Sequence, residues 1–252
     1  MDDIIIVNNL SKNFKSRGKS DTLAVKNVSF CLKRGETLGI VGESGSGKST
    51  VAKLITGLLK PSDGEVRIYD NAERLLSQKK ALEFYSQIQM VFQNPAESFN
   101  PRKTIGYGIG EGLRNRGYSP AATATVVAEL LEKVGLEPSI ARKYPHQVSV
   151  GQCQRAAIAR ALAVKPKILV CDEATSALDV TVQKQIIELL DELRKSEDLS
   201  IIFICHNLAL VQSFCDRVLV LYDGEVVEEG EPDRIINNPK AEYTKVLVDS
   251  IL

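Results

Sequence analysis

Net charge of either sign is missing from this chain: 32 Lys+Arg stand against 32 Asp+Glu. A surface built for nucleic-acid phosphates or an anionic bilayer needs an excess of basic groups, so neither is expected as a partner. Long apolar runs are missing too. The longest, such as residues 201–205 and 218–222, fall far short of the roughly 20 needed for a membrane-crossing helix. Asp2 and Asp3 precede only four aliphatic residues, a start that predicts no signal peptide. CxxC spacing is lacking among the five cysteines, Cys31, Cys153, Cys171, Cys205 and Cys215. An odd, scattered set predicts reduced and mostly buried thiols in a cytosolic protein. Cys205 stands beside His206 without a third or fourth ligand at workable spacing, so no structural metal is expected. There is no internal repeat and no low-complexity segment. What is present is ordinary for a globular chain: 44% hydrophobic and 25% charged residues over 252 positions. That length supports a sizeable core in one large domain or two small ones.

Short β-type runs dominate the first 70 residues, at 4–7, 28–32, 38–41 and 66–69, separated by the turn sequences Lys33-Arg34-Gly35-Glu36 and Pro61-Ser62-Asp63-Gly64. Residues 16–20 (SRGKS) read as a loop. A helix is expected from Lys48, carrying Val51, Leu54, Ile55 and Leu58 at helical spacing. Another is expected over 75–85, then a strand at 88–92. From Asn94 to about Val164 strand signals vanish, and 121–134 and 152–164 show helical periodicity. Strands return at 168–171, 201–205 and 218–222, with a helix over about 182–194. Alternation of this kind predicts a parallel α/β sheet. The expected organisation is one domain, with an α/β and β core formed by about 1–93 and 165–252 and a helical subdomain at about 94–164.

Gly42-Glu43-Ser44-Gly45-Ser46-Gly47-Lys48-Ser49-Thr50 matches GxxxxGK[ST], between an expected strand and an expected helix. Glycines let successive backbone N–H groups turn inward around a phosphate, and a helix N-terminus favours an anion. Lys48 is placed to reach the β- and γ-phosphates, and the Ser49 hydroxyl to ligate Mg²⁺. The apolar run 168–171 ends in Asp172 and Glu173. Asp172 is the candidate Mg²⁺ carboxylate, directly or through water. Glu173 is the candidate to orient or deprotonate the attacking water. Taken singly, Phe14 reads as a core aromatic, His206 as a structural histidine, and Gln93 as uninformative.

Taken together, these residues resemble the ATP-binding cassette (ABC) ATPases. Residues 173–179 (EATSALD) look like that family's second acid and D-loop. Val148-Ser149-Val150-Gly151-Gln152, followed by the run 154–162, looks like its signature and the helix after it. Gln93 sits at the Q-loop position, His206 at the switch histidine, and Phe14 at the aromatic that stacks on adenine. The order is that of the family across nearly the whole chain. The resemblance implies a P-loop NTPase (RecA-like) core with an antiparallel β subdomain and an inserted α-helical subdomain. It also implies that two cassettes pack head to tail around two ATP molecules. Ser149, Val150, Gly151 and Gln152 would then meet the ATP held by the partner, Asp179 would line the seam, and His206 would contact the γ-phosphate. Gln93 would sense Mg²⁺ and water and relay nucleotide state to a membrane subunit.

The segment 93–102 (QNPAESFNPR), Tyr144-Pro145-His146-Gln147 and the tail 238–245 (NPKAEYTK) resemble the importers of dipeptides, oligopeptides and nickel. The expected function is therefore ATP hydrolysis that energises import of such a solute at the cytoplasmic face of the membrane. The partners implied are a second ATPase subunit, preferably a different one, two membrane permeases and an extracytoplasmic solute-binding protein. Cys215 is the last cysteine, so no iron–sulfur site is expected. Val150 replaces the signature's first glycine, and Cys153 stands where arginine is usual. A stiffer loop and a lost surface charge would make an asymmetric dimer, with the site completed by residues 148–152 slow, whereas a Val150 that points away would change nothing. A cassette acting on DNA or ribosomes, a small-molecule kinase or GTPase, and a regulatory cassette with little hydrolysis are the rival readings.

Overall fold

A computed structural model of the chain describes residues 3–15, 21–69, 75–76, 81–176 and 178–250. The strands are β1 (Asp3–Phe14), β2 (Thr22–Lys33), β3 (Thr37–Val41), β4 (Asp63–Ile68), β5 (Ile88–Val91), β6 (Ile168–Asp172), β7 (Ser200–Ile204), β8 (Arg217–Tyr222) and β9 (Glu225–Gly230). The α-helices are α1 (Lys48–Ile55), α2 (Ala81–Gln87), α3 (Ile105–Ile109), α4 (Glu111–Arg114), α5 (Pro120–Lys133), α6 (Val150–Leu162), α7 (Val180–Glu197), α8 (Leu208–Phe214), α9 (Pro232–Asn237) and α10 (Glu242–Asp249).

Two sheets form among the described residues. One is antiparallel, in the order β2-β1-β4; the other runs β5-β6-β7-β3-β8-β9. In the second, β5 through β8 are parallel and β9 returns antiparallel along β8. Every residue of β3, β6 and β7 is buried, as expected of parallel strands covered on both faces. Strand alternation then divides the core. Ile201 and Phe203 join Leu169 and Val218 on one face, packed with Phe99, Ile105, Leu131 and Ile158. Ile202 and Ile204 join Ile40 and Leu219 on the other, packed with Ile5, Leu10 and Leu32 of the antiparallel sheet and Val51 and Leu54 of α1. Residues 93–167 contain helices and turns and no strand, and their buried apolar side chains share the first of these clusters with the sheet.

Several expectations are corrected. The helix expected over 75–85 is instead α2, starting at Ala81; Leu75 bridges Tyr69, and the Leu76 N–H donates to Ile68 O at 2.7 Å. Backbone pairing with β4 outweighs helical spacing there, and 77–80 lies outside the described residues. The loop read at 16–20 also lies outside them. Helix α1 stops before Leu58, because Gly57 takes a left-handed φ of 72° that a continuing helix cannot hold. Helix α6 starts two residues before the expected 152, where Ser149 caps it. Strand β9 was not anticipated. Its signal is Asp223-Gly224, whose φ values of 45° and 82° suit the two-residue hairpin turn.

Phe203 is fully buried at the centre of the sheet and meets Phe214 edge to face, with centroids 5.3 Å apart. Phe203→Ala should therefore cost about 3–5 kcal/mol, read as a lower urea midpoint with an unchanged m-value.

Candidate active site

Parallel strands deliver their following loops to one end of a sheet. Gly42 follows β3, Gln93 follows β5, Glu173 follows β6 and His206 follows β7, with Asp172 the last residue of β6. Residues spread over 165 positions of sequence are thus gathered at the carboxyl ends of four adjacent strands, where open α/β sheets bind ligands.

The phosphate loop depends on its glycines. Gly42 has φ 152°, and a Cβ there would lie 2.1 Å from Leu221 O; Gly47 has φ 103°, and a Cβ would lie 2.5 Å from Ala24 O. No other residue type could bring the backbone so close to β8 and β2. Gly47 also caps α1 without a side-chain hydrogen bond, which leaves the first amides of that helix to a ligand. Glu43, Ser44 and Gly45 are exposed, Ser46 is buried, and Ser49 and Thr50 are half-buried.

Lys48 is only 4% exposed. Its ammonium donates to Gly42 O at 2.8 Å and Glu43 O at 2.7 Å, with Ser46 Oγ at 3.5 Å. Burial pushes its pKa down, against the opposing fields of Glu173 and Asp172. A cation held only by neutral acceptors in a desolvated loop gains most from an anionic ligand.

The Ser49 hydroxyl donates to Asp172 Oδ1 at 2.9 Å. Burial raises the Asp172 pKa, and the Ser49 bond partly opposes that rise. Glu173 takes a left-handed φ of 47°, unusual for a residue with a side chain. Its N–H donates to Ile204 O at 3.0 Å, and its carbonyl accepts from the Ser176 hydroxyl at 3.0 Å. Gln93 Nε2 donates to Glu173 Oε2 at 2.7 Å, linking the glutamine after β5 to the acid after β6. Ser49, Asp172 and the remaining amide oxygen of Gln93 are hard oxygen donors of the kind Mg²⁺ takes, so the residues fit that ion. Groups of three or more His, Cys, Asp or Glu able to hold a metal are absent among the described residues.

His206 is exposed at the same end, just before Asn207, whose side chain caps α8. Phe14 ends β1 and is 41% exposed, with Lys12 Nζ 5.4 Å from its ring centroid. Its reading as a core aromatic is therefore wrong. A groove of about 910 Å³ runs beside the site, lined by Ser49, Leu82, Tyr85, Gln93, Glu97 and Arg160 among others. The Arg160 guanidinium lies 4.5 Å over the Phe99 ring and donates to the Ser98 hydroxyl at 2.9 Å, tying α6 to the chain after Gln93.

The signature turn is built locally and faces outward. Ser149 Oγ accepts from Gln152 N at 3.2 Å while Gln152 Oε1 accepts from Ser149 N at 3.1 Å, a reciprocal cap on α6. Val150 is 53% exposed in the first turn. A Cβ on Gly151 would lie 3.1 Å from Val182, which places this turn beside the start of α7, where Asp179 caps Val182 N at 3.0 Å. No hydrogen bond or ion pair among the described residues joins residues 149–152 to the phosphate loop. Cys153 is 2% exposed and its thiol is pushed up to about 11 by burial. That corrects the expectation of a lost surface charge, because the Cys153 side chain is packed in the core. Sequence reading also missed a contact from the far end of the chain: the Glu43 N–H donates to the Tyr243 hydroxyl at 2.9 Å. The tail containing Tyr243 resembled known importers, but nothing in its spacing pointed to the loop.

The ABC transporter family model matches residues 25–176. The oligopeptide transport ATP-binding protein OppF of Haemophilus influenzae is 46% identical, over 98% of this chain and 78% of that protein. OppF of Salmonella typhimurium is 47% identical, over 90% of this chain and 69% of that protein. A dimeric post-hydrolysis state of the ATP-binding cassette MJ0796, bound to ADP and phosphate, superposes with a TM-score of 0.79 at 32% identity. That match covers 90% of this chain and 98% of that one.

Glu173→Gln keeps the hydrogen bond to Gln93 available but removes the basic carboxylate. Steady-state turnover should fall about 10²–10⁴-fold while nucleotide affinity, measured by fluorescence titration, stays within a few-fold. Wild-type-like turnover would remove Glu173 from its role.

Proposed function

The chain belongs to the ABC transporter family of ATP-binding cassettes, and from that membership we propose that it is the ATPase subunit of an oligopeptide importer. The observation that carries this reading is the gathering of the phosphate loop, Gln93, Asp172, Glu173 and His206 at one end of the parallel sheet. The oligopeptide transport proteins among its relatives supply the solute class.

In this reading Phe14 stacks on adenine, while the amides of residues 44–50 and Lys48 hold the phosphates. Ser49, Asp172 and Gln93 would hold Mg²⁺, which when bound neutralises charge on the β- and γ-phosphates. Glu173 orients a water and takes its proton as the water oxygen attacks the γ-phosphorus and the bond to ADP breaks. The Gln93 hydrogen bond fixes the direction of that carboxylate, and His206 contacts the γ-phosphate from the neighbouring strand end. The signature turn of a second cassette closes the site, as Ser149, Val150, Gly151 and Gln152 of this chain close the other. Val180 is 82% exposed directly after Asp179, and with Val150 it offers an apolar surface suited to a protein cover at that seam.

Residues 94–164 act as a helical subdomain, and the groove lined by Gln93 and Arg160 receives a membrane permease. Two permeases and an extracytoplasmic solute-binding protein complete the importer, with this chain peripheral on the cytoplasmic face. Among the described residues no helix is long and apolar enough to cross a membrane.

Reconstitution with two permeases and the solute-binding protein in proteoliposomes tests the reading. Labelled oligopeptide should accumulate only with ATP and with the wild-type chain. Nickel uptake without peptide uptake would replace the solute, and ATPase activity indifferent to the permeases would overturn the transport role. The second cassette is proposed to be a different chain, with the site completed by this signature the slower. Val150→Gly in that complex should raise ATPase activity by a few-fold; an unchanged rate and ATP affinity would retire the asymmetry.

A further inference from the structure

The phosphate loop is held from outside by the C-terminal part of the chain. Leu221 O abuts Gly42, the Gly224 N–H donates to Ser46 O at 3.0 Å, and the Tyr243 hydroxyl accepts from the Glu43 N–H at 2.9 Å. The first two contacts come from β8 and its turn. The third comes from α10, 200 residues away in sequence.

The Tyr243 contact acts on a particular peptide unit. The carbonyl of Gly42 and the N–H of Glu43 belong to one planar trans amide, so they point in opposite directions. Lys48 holds the carbonyl at 2.8 Å from inside the loop, and Tyr243 holds the N–H from outside. An ammonium has three donors, and those of Lys48 already engage Gly42 O and Glu43 O. A bound triphosphate would compete with both carbonyls for those donors, which weakens the hold of Lys48 on the Gly42 carbonyl. The Tyr243 bond is on the outer side of that plane and is not drawn into this competition.

The tyrosine is itself placed with care. Its ring packs on Tyr222 with centroids 4.1 Å apart. The start of α10 is fixed by buried Glu228 of β9, whose carboxylate accepts from Ala241 N at 2.9 Å, Lys240 N at 3.1 Å and Arg234 Nη1 at 3.0 Å. Those bonds hold the Glu228 carboxyl below its usual range despite the opposing effect of burial.

We propose that Tyr243 is a positioning residue for ATP binding: its hydroxyl holds the Gly42–Glu43 peptide in the orientation the triphosphate requires while Lys48 exchanges carbonyls for phosphates. This rests on the nucleotide reading of the phosphate loop. Tyr243→Phe removes the hydroxyl and keeps the ring on Tyr222. In the full chain, ATP affinity should weaken about 2- to 10-fold and KM should rise in step, with kcat at saturating ATP nearly unchanged. Hydrogen exchange of the peptide covering residues 40–48 should accelerate in the variant. Unchanged affinity and loop exchange would overturn the proposal, whether or not the melting temperature falls, because Tyr243 would then serve packing alone. Lys48→Ala separates the two levels. Loss of ATP binding in that variant alongside a silent Tyr243→Phe leaves the phosphate loop intact and removes only Tyr243, whereas retained binding in Lys48→Ala removes the site reading itself.

Discussion

Everything at the site depends on how closely the backbone after β3 approaches its neighbours. At Gly42 and Gly47 the chain passes within contact distance of backbone oxygens on β8 and β2, in conformations that a Cβ would forbid. That approach turns the loop sharply enough to start α1 at Lys48 and to hide the lysine from water. A lysine buried among carbonyls is poorly solvated, and desolvation weakens its hold on a proton. Such a group gains from an anion that offers it a charged partner in place of neutral carbonyls.

The acids opposite are arranged by the same economy of sheet geometry. Asp172 and Glu173 are consecutive, yet the left-handed backbone at Glu173 and its bond to Ile204 O send them to different tasks. Asp172 turns to Ser49 in the buried interior, and Glu173 turns to Gln93 at the rim. A two-residue segment thereby serves a metal-side role and a water-side role in the proposed mechanism.

By contrast, the turn at Ser149 is complete as a local structure and bonds to none of the groups gathered at the phosphate loop among the described residues. Its polar groups cap α6, its Val150 faces solvent, and it neighbours the start of α7 rather than the phosphate loop. In the proposed mechanism such a turn closes the site of a second cassette. The geometry of the turn also explains why Val150 and Cys153, which look alike as departures in sequence, differ physically. One is exposed at the first residue of α6, and the other, a turn further in, is packed in the core.

Local chemistry made much of this legible in advance. The glycine spacing of residues 42–47, the apolar run ending in Asp172 and Glu173, and the buried parallel strands are short-range patterns written by sterics and alternation. Phe14, read alone, looked like core, because an aromatic at the end of a strand carries no mark of which side water occupies. Helix α2 and strand β9 were misjudged or missed because pairing with β4 or β8 supplies hydrogen bonds that no local window contains. The bond from Glu43 to Tyr243 is the extreme case. The amino-acid order by itself determined the phosphate loop, the acids and the parallel α/β character; only the tertiary structure decided the order of strands in the sheet, which loops share a strand end, which side chains face water, and that the far helix grips the loop. The reason is that sterics and periodicity act between near neighbours, whereas burial and cross-sheet hydrogen bonds exist only once distant segments have met.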